Sequence, residues 1–260
     1  MKESELDKKT QDALITAKEQ YKVLKAMYQL FGQGDLMKFW LFEEHRCIDK
    51  WVHYFSIYEK WFNPYRGRDI VFVEIGVQNG GSVQMWKNYF GKSAQIVGID
   101  IDERCKQFED EKISIEIGSQ EDEYFWQEFK IKYPRVDILL DDGGHTMNQQ
   151  IVTFREMFPH IKDGGLYICE DCHTSYQNNE LYPGGGLKVA GTFIEFTKNL
   201  IDELNAFWAG QNLRPTYNTL NMGGIHFYDS IVVVEKKNVP IPPFHLRIGK
   251  TTTVHFVDAL

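Results

Sequence analysis

The pattern of apolar and polar positions divides the chain into alternating strand-like and helix-like segments. The stretch Ile70–Ser82 begins with a short apolar run broken by one acid and ends in closely spaced glycines. Such a run is too short for a core helix and is rich in β-branched residues, so it predicts a buried strand. Ser82 is suited to cap a following helix over Val83–Phe90. The stretch therefore predicts a strand, a glycine turn and a helix, as at a nucleotide-type site in a parallel sheet.

The same alternation continues along the rest of the chain. The later predicted strands are Gln95–Asp100, Ser114–Ile117, Asp137–Leu140 and Leu166–Cys169, followed by a hairpin that joins Ile225–Tyr228 to Ser230–Glu235. The predicted helices between them are Asp122–Lys132, Asn148–His160 and a segment around Thr192–Trp208. This alternation predicts an α/β fold, in which a mostly parallel sheet carries helices on both faces.

A helical extension is predicted to precede this sheet. Apolar residues three and four positions apart give residues 5–31 a single apolar stripe, which predicts an amphipathic helix. Further helices are predicted over Asp35–Arg46 and after Asp49. The stripe can pack on the same chain or form a seam between two copies, and the pattern leaves both interpretations open. We therefore predict three regions: an N-terminal helical extension over residues 1–66, a core domain over 67–238 and a C-terminal tail over 239–260.

Composition and charge exclude several classes of partner. The chain has 260 residues and a formal net charge of −8, which argues against nucleic acid and anionic membranes as partners. It shows no export signal and no apolar run long enough to span a bilayer, so we expect a cytoplasmic protein. Cys169 and Cys172 form one Cys-x-x-Cys pair, but a second pair is missing, so a zinc site is not expected.

The glycine spacing bears on which cofactor binds. A dinucleotide fold favours Gly-x-Gly-x-x-Gly, whereas this chain has Glu-x-Gly-x-x-x-Gly-Gly, with Glu74, Gly76 and Gly80. S-adenosylmethionine has no phosphate to cradle, and its ammonium and sulfonium centres favour a nearby acid such as Glu74. Asp100 ends the second strand, where an acid binds ribose hydroxyls. Since such an acid suits NAD equally well, an NAD-linked oxidoreductase stays as the less favoured alternative.

Acidic residues follow two further strands. Asp141-Asp142-Gly143-Gly144-His145 comes after the fourth predicted strand, and Glu170-Asp171 comes after the fifth. If these strands are neighbours, the carboxylates converge in one cleft, where a divalent cation would offset their repulsion. An all-oxygen ligand set suits Mg²⁺, and His145 is placed to act as a general base. The alternative is that these acids only cap the following helices.

Taken together, these motifs resemble a known family. Glu-Ile-Gly-Val, Gly-Ile-Asp-Ile-Asp, Leu-Asp-Asp-Gly-Gly-His and Ile-Cys-Glu-Asp are similar to motifs of the metal-dependent sugar O-methyltransferases of macrolide biosynthesis. That family includes the mycinamicin and macrocin enzymes and is related to the cephalosporin hydroxylase-like proteins. The resemblance covers residues 49–236 and implies the Rossmann-like, seven-stranded class I methyltransferase fold.

The resemblance also implies roles for individual residues. Magnesium would be held by Asp142, Glu170 and Asp171, with His145 as the catalytic base beside Asp142. The expected contacts of S-adenosylmethionine are Glu74, Gly76, Gly80, Ser82, Asp100, Ser119, Gln120 and Asp141. The acceptor, a small-molecule or nucleotide-linked sugar, would meet His53, Tyr54 and His173. A non-sugar acceptor and a catalytically silent S-adenosylmethionine-binding subunit stay open as alternatives.

Overall fold

A computed structural model describes residues 34–43, 45–239, 241–246 and 248–249, together with residues 22, 23, 26 and 29. Those four N-terminal positions are helical. The rest of the helix predicted over residues 5–31 lies outside the described residues, so packing on the same chain and a seam between two copies both stay open. The three predicted regions stay predictions.

Strands and helices alternate as expected for an α/β fold. The strands are β1 (Val71–Ile75), β2 (Gln95–Asp100), β3 (Ile113–Ile117), β4 (Val136–Asp141), β5 (Ile161–Cys169), β6 (Met222–Phe227) and β7 (Val232–Lys236). The helices are α1 (Asp35–Leu41), α2 (Tyr54–Phe62), α3 (Gly81–Phe90), α4 (Glu123–Lys132), α5 (Met147–Met157), α6 (Phe193–Leu204) and α7 (Tyr217–Asn221). Across the described parts of the chain, no helix combines the length and apolar character that a bilayer crossing requires.

The strands form one seven-stranded sheet in the order β3-β2-β1-β4-β5-β7-β6. Strands β1 to β5 are parallel, whereas β7 runs antiparallel to both β5 and β6. This topology confirms the predicted fold class and the final hairpin, and it makes the fourth and fifth strands neighbours. Asp141 lies opposite Cys169 in the register, so the acids that follow both strands emerge side by side.

Each face of the sheet carries its own apolar core. In β1, Phe72 points to the face covered by α2 and α3, where its ring lies 5.5 Å from that of Phe62 and 5.3 Å from that of Trp86. Val73 points to the opposite face, where it joins the core that includes Trp126 and other residues of α4, α5 and α6. Successive residues of a strand point to opposite faces, so a short apolar strand supplies both cores.

The helix predicted over Asp35–Arg46 ends earlier, at Leu41. The indole of Trp40 donates to the carbonyl of Ile48 at 2.9 Å, and the Glu43 carboxylate accepts from the backbone N–H of His45 at 2.8 Å. These bonds stabilise a turn in place of further helix. The chain then runs without helix or strand from residue 47 to residue 50 and reaches the carboxyl edge of the sheet.

The predicted N-cap of the glycine-turn helix is also wrong by two residues. Gly80 is the cap residue, with φ +71°, and α3 begins at Gly81. A left-handed backbone suits glycine because other residues meet a steric cost there. Ser82 therefore lies inside the first turn, and its hydroxyl donates to a carboxylate oxygen of Glu74 at 2.7 Å instead of capping the helix.

Candidate active site

A cavity of about 590 Å³ opens at the carboxyl edge of the sheet, between the loops after β1 to β5 and the segment Cys47–Val52. Ligands of open α/β sheets bind at this edge. The predicted site residues that line the cavity are Tyr54, Gly76, Ser82, Asp100, Ser119, Gln120, Asp142, His145, Glu170 and Asp171. The predicted site residues outside its lining are His53, Glu74, Gly80, Asp141 and His173.

The end of β1 passes very close to the end of β4. Gly76 has φ +92°, and a Cβ there would stand 2.0 Å from the carbonyl oxygen of Asp142. Only glycine permits this approach. Asp100 lies in the same half of the cavity, where its Oδ2 accepts from the backbone N–H groups of Val77 and Gln78 at 2.9 and 3.0 Å. Asp100 thus holds the glycine loop, and its predicted contact with ribose stays a prediction.

Two residues predicted to contact the cofactor are directed elsewhere. The Glu74 side chain is fully buried and accepts from Ser82 and from the indole of Trp86, the latter at 2.9 Å. Burial raises the pKa of Glu74 to about 7, although a neighbouring lysine opposes the rise. A Cβ on Gly80 would stand 2.4 Å from the ring of Phe108, so the space beside Gly80 is filled by protein. Neither residue faces the cavity.

Asp141, also predicted to contact the cofactor, is likewise directed to other side chains of the protein. Its carboxylate is fully buried and accepts from Gln120 Nε2 at 2.9 Å and from the Tyr167 hydroxyl at 3.2 Å. Burial raises the pKa of Asp141 to about 6, and the bond from Gln120 opposes the rise. Gln120 Oε1 accepts from the backbone N–H of Gly144 at 2.9 Å. Gln120 thus links Asp141 to Gly144, and the two side chains together hold the turn after β4 in place.

Asp142, His145 and Asp171 form a cluster in which the candidate metal-ligating atoms all lie within 4.8 Å of one another. His145 Nε2 lies 3.4 Å from Asp171 Oδ2 and 3.8 Å from Asp142 Oδ1. His145 and Asp171 both have positive φ, 58° and 51°, which non-glycine residues adopt at a cost that is typical of functional sites. Each side chain is only partly exposed, so the cluster faces the cavity without being open to bulk water.

The cluster is held by neighbouring hydroxyls. The Tyr54 hydroxyl donates to Asp171 Oδ1 at 2.7 Å, and the Thr174 hydroxyl donates to the carbonyl of His145 at 2.9 Å. His145 Nδ1 is buried and has no hydrogen-bond partner among the described residues. The two converging carboxylates are oxygen donors that fit Mg²⁺ or Mn²⁺, with room for further ligands from the cavity and with the imidazole beside them.

Glu170, predicted as a third metal ligand, is not part of this cluster. Its side chain is buried, and its two oxygens are engaged by the Tyr58 hydroxyl and, at 3.0 Å, by Lys50 Nζ. Burial raises the pKa of Glu170, and Lys50 opposes that rise. The third member of the cluster is His145, whereas the Glu170 carboxylate is directed to Lys50 and Tyr58.

Lys50 is the residue that sequence reasoning missed. Its ammonium contacts Asp142 Oδ2 and Glu170 Oε2 and lies 3.6 Å from Glu74 Oε1, with only 2% of its side chain exposed. Burial alone would lower its pKa, but the three carboxylates, Asp142 first, raise the pKa well above its usual value. From the sequence, the converging acids were expected to need a cation, and only a metal ion was considered. The lysine in the segment Asp49–Tyr54 was the signal that could have indicated a second cation.

Comparison with known proteins finds similar sugar O-methyltransferases. No family model matches the chain. The 8-demethyl-8-alpha-L-rhamnosyl tetracenomycin-C 2'-O-methyltransferase of Streptomyces olivaceus is 33% identical over 202 residues, which cover 73% of this chain and 52% of that protein. The mycinamicin VI 2''-O-methyltransferase of Micromonospora griseorubida is 32% identical over 200 residues, covering 71% and 48%. Over the residues that these matches cover, the chain is similar to the macrolide sugar O-methyltransferases.

Solved structures of this sugar O-methyltransferase family support the same fold. The MycE methyltransferase of the mycinamycin biosynthetic pathway, in complex with Mg and SAH, superposes with a TM-score of 0.66 at 31% identity. The match covers 75% of this chain and 52% of that one. A second MycE structure contains Mg, SAH and mycinamycin VI. The chain spans about half the length of the curated relatives it matches.

Aromatic residues of the Asp49–Tyr54 segment, which the family resemblance singled out, form one wall of the site. Tyr54 and Trp51 line the cavity, and burial raises the pKa of the Tyr54 hydroxyl. His53 Nε2 lies 3.1 Å from the carbonyl oxygen of Asp229, and His173 Nδ1 contacts the Ser230 hydroxyl. Both histidines thus lie beside the cavity, and their predicted contact with an acceptor stays a prediction.

Proposed function

We propose that this chain is a Mg²⁺-dependent O-methyltransferase that moves the methyl group of S-adenosylmethionine to a sugar hydroxyl of a glycosylated small molecule. The observation that carries the proposal is the Asp142–His145–Asp171 cluster, which shares one cavity with Gly76 and Asp100. The names of the relatives support it, since they are methyltransferases of rhamnosyl tetracenomycin and of mycinamicin. The Mg and SAH in the MycE structures support the choice of cofactors.

S-adenosylmethionine would occupy the half of the cavity at the ends of β1 and β2. Asp100 offers its remaining lone pairs there, and Ser119 adds a hydroxyl from the loop after β3. Gly76 brings backbone to the cavity wall, so a ligand can lie close to the chain. Glu74 accepts a hydrogen bond from Ser82, which lines this half, and Glu74 itself would not contact the ligand.

Asp142 and Asp171 would hold the metal in the other half. A bound Mg²⁺ would act as a Lewis acid that makes an acceptor hydroxyl more acidic. Tyr54 fixes Asp171 through its Oδ1, and Lys50 fixes Asp142 through its Oδ2. Each acid therefore keeps its other oxygen directed toward His145. Preorganised ligands of this kind bind a cation without a further cost of ordering.

His145 would be the general base. Its Nε2 would take the hydroxyl proton while the oxygen attacks the methyl carbon and the bond from that carbon to sulfur breaks. The products are then a methyl ether, S-adenosylhomocysteine and a protonated imidazole. Asp142 and Asp171 lie within 4 Å of Nε2 and stabilise the imidazolium. Thr174 holds the strained backbone of His145 through its carbonyl.

The test is to incubate the chain with S-adenosylmethionine, Mg²⁺ and a panel of rhamnosides and other glycosides, and to measure S-adenosylhomocysteine and methylated sugar. We expect turnover that stops in excess chelator and returns on addition of Mg²⁺ or Mn²⁺. Calorimetry with S-adenosylmethionine and NAD provides the control. Binding of NAD alone would refute the proposal. Binding of S-adenosylmethionine without turnover on any glycoside would favour a silent subunit or a non-sugar acceptor.

A further inference from the structure

Two large apolar side chains of the cavity wall are more than half exposed. They are Ile101, which is 75% exposed, and Trp51, which is 55% exposed; both belong to the described residues that line the cavity. Exposed apolar surface in the wall of a cavity is typical of ligand contact, because burying it against a ligand is favourable.

The two side chains belong to different halves of the cavity. Ile101 follows Asp100 at the end of β2, whereas Trp51 lies beside Tyr54 and His173, which both contact Asp171 after β5. Strands β1 and β4 separate β2 from β5 in the sheet, so about 14 Å separates the two strand ends. Trp51 is therefore the exposed apolar surface of the half that contains the acid cluster.

Two imidazoles lie next to the indole of Trp51. Its ring centroid lies 5.9 Å from that of His173, at an interplanar angle of 84°, and 6.2 Å from that of His53. Those imidazoles contact Ser230 and Asp229 in the turn between β6 and β7. A ring that packs against neighbours and is still exposed loses less conformational freedom on binding a ligand than a free one does.

The chemistry of the surroundings indicates what this ring binds. A pyranose presents apolar C–H groups on its ring faces and hydroxyls at its edge, so it needs an apolar platform beside a polar cluster. The indole supplies the platform. The cluster is close, because His173, against which the indole packs, has its Nδ1 3.9 Å from Asp171 Oδ1.

We infer that Trp51 is a specificity-determining residue: the pyranose ring of the acceptor stacks on its indole while one sugar hydroxyl reaches the Asp142–His145–Asp171 cluster. This inference rests on the proposed function. It assigns His53 and His173 the role of positioning residues for the indole, in place of direct contacts with the sugar.

The experiment measures sugar binding without turnover. Saturation-transfer NMR is recorded for methyl α-L-rhamnopyranoside, methyl α-D-glucopyranoside and methyl β-D-galactopyranoside, in the presence of Mg²⁺ and S-adenosylhomocysteine. We expect Trp51→Ala to weaken binding of the preferred glycoside by roughly tenfold or more and Trp51→Phe to weaken it less, as stacking energies suggest. The matched control is Trp208→Ala, since Trp208 is 67% exposed and does not line the cavity.

Melting temperature and the affinity for S-adenosylhomocysteine are measured on the same preparations, and both should be unchanged in Trp51→Ala. The inference is overturned if Trp51→Ala binds the glycosides as wild type does, or if wild type binds none of them. It is also overturned if only glycosides with a large apolar aglycone depend on Trp51, since the indole would then contact the aglycone. Failure of the proposed function is distinguishable: wild type would transfer no methyl group, while glycoside binding would still depend on Trp51.

Discussion

The two halves of the cavity stabilise their acids in different ways. In the half at the ends of β1 and β2, Asp100 accepts from the backbone N–H groups of Val77, Gln78 and Asp102. In the half at the ends of β4 and β5, the acids are stabilised by side chains from distant parts of the chain. The single side chain of Lys50 contacts both Asp142, 92 positions away, and Glu170, 120 positions away.

The difference shows when acids need an opposite charge and when backbone dipoles are enough. One acid at the end of a strand can be satisfied by the amide dipoles of adjacent loops. Four acids in one place, Glu74, Asp142, Glu170 and Asp171, cannot be, because their mutual repulsion and burial add. The buried ammonium of Lys50 compensates three of them. The fourth, Asp171, is left facing His145 and the cavity.

The largest effect is expected at His145, the proposed general base in the half at the ends of β4 and β5. His145→Ala should lower kcat by roughly 10²–10⁴-fold, the usual contribution of a positioned base. Binding of S-adenosylmethionine, measured by calorimetry, should be unchanged because His145 lies in the other half. Single-turnover rates and melting temperature are compared on one preparation. A normal rate with a lowered melting temperature would remove His145 from the mechanism.

Lys50 tests whether the acids depend on their internal cation. Lys50→Met should reduce the free energy of unfolding by about 3–5 kcal/mol, because it leaves buried carboxylates without a partner. The double variant Lys50→Met/Glu170→Gln should regain part of this loss, since it removes one of the unpaired acids. Urea denaturation measures both variants. A single variant as stable as wild type would show that the ammonium is not needed to balance these acids.

Asp100 tests the half that relies on backbone. Asp100→Ala should weaken binding of S-adenosylmethionine by roughly 1.5–3 kcal/mol, the usual value of a hydrogen bond to a charged group. The control is Asp102→Ala, because Asp102 pairs with the exposed Arg104 and does not line the cavity. Calorimetry should give wild-type affinity for the control. Equal losses in both variants would indicate that the loop as a whole, and not Asp100, determines affinity.

A second buried lysine sharpens the comparison with Lys50. Lys236 is 5% exposed and donates to the carbonyl of Phe158 at 3.0 Å and to the Tyr217 hydroxyl, with no carboxylate of the described residues in contact. Burial lowers its pKa to about 8, and Asp163 only partly opposes this. The two lysines differ in the acids around them, and their pKa values shift in opposite directions.

The sign of the resulting pH effect follows from proton linkage. Between pH 8 and 10.5 the unfolded chain binds more protons at Lys236 than the folded chain does, so this residue makes stability rise with pH. We expect the stability difference between wild type and Lys236→Met to change by about 1–2 kcal/mol in favour of wild type from about pH 8 to about pH 9.5. Denaturation at several pH values measures it. A difference that is flat with pH would contradict the lowered pKa.

The sequence by itself determined the sheet and the edge at which the site lies. Apolar runs, glycines and turn residues are local signals, and parallel strands place their carboxyl ends at one edge. The order of residues along the chain was therefore enough to expect Asp142, His145 and Asp171 together. The terminal hairpin is borne out for the same reason.

Only the tertiary structure decided which acids join the cluster with His145. Glu170 and Asp171 are adjacent in the chain, yet Glu170 points inward to Lys50 and Tyr58, while Asp171, with φ +51°, points to His145. Glu74 likewise turns to Ser82 and Trp86 instead of to a cofactor. The direction of a side chain after a strand depends on backbone angles and on partners from distant segments. No local pattern records either of them, because burial and charge balance are properties of the assembled chain.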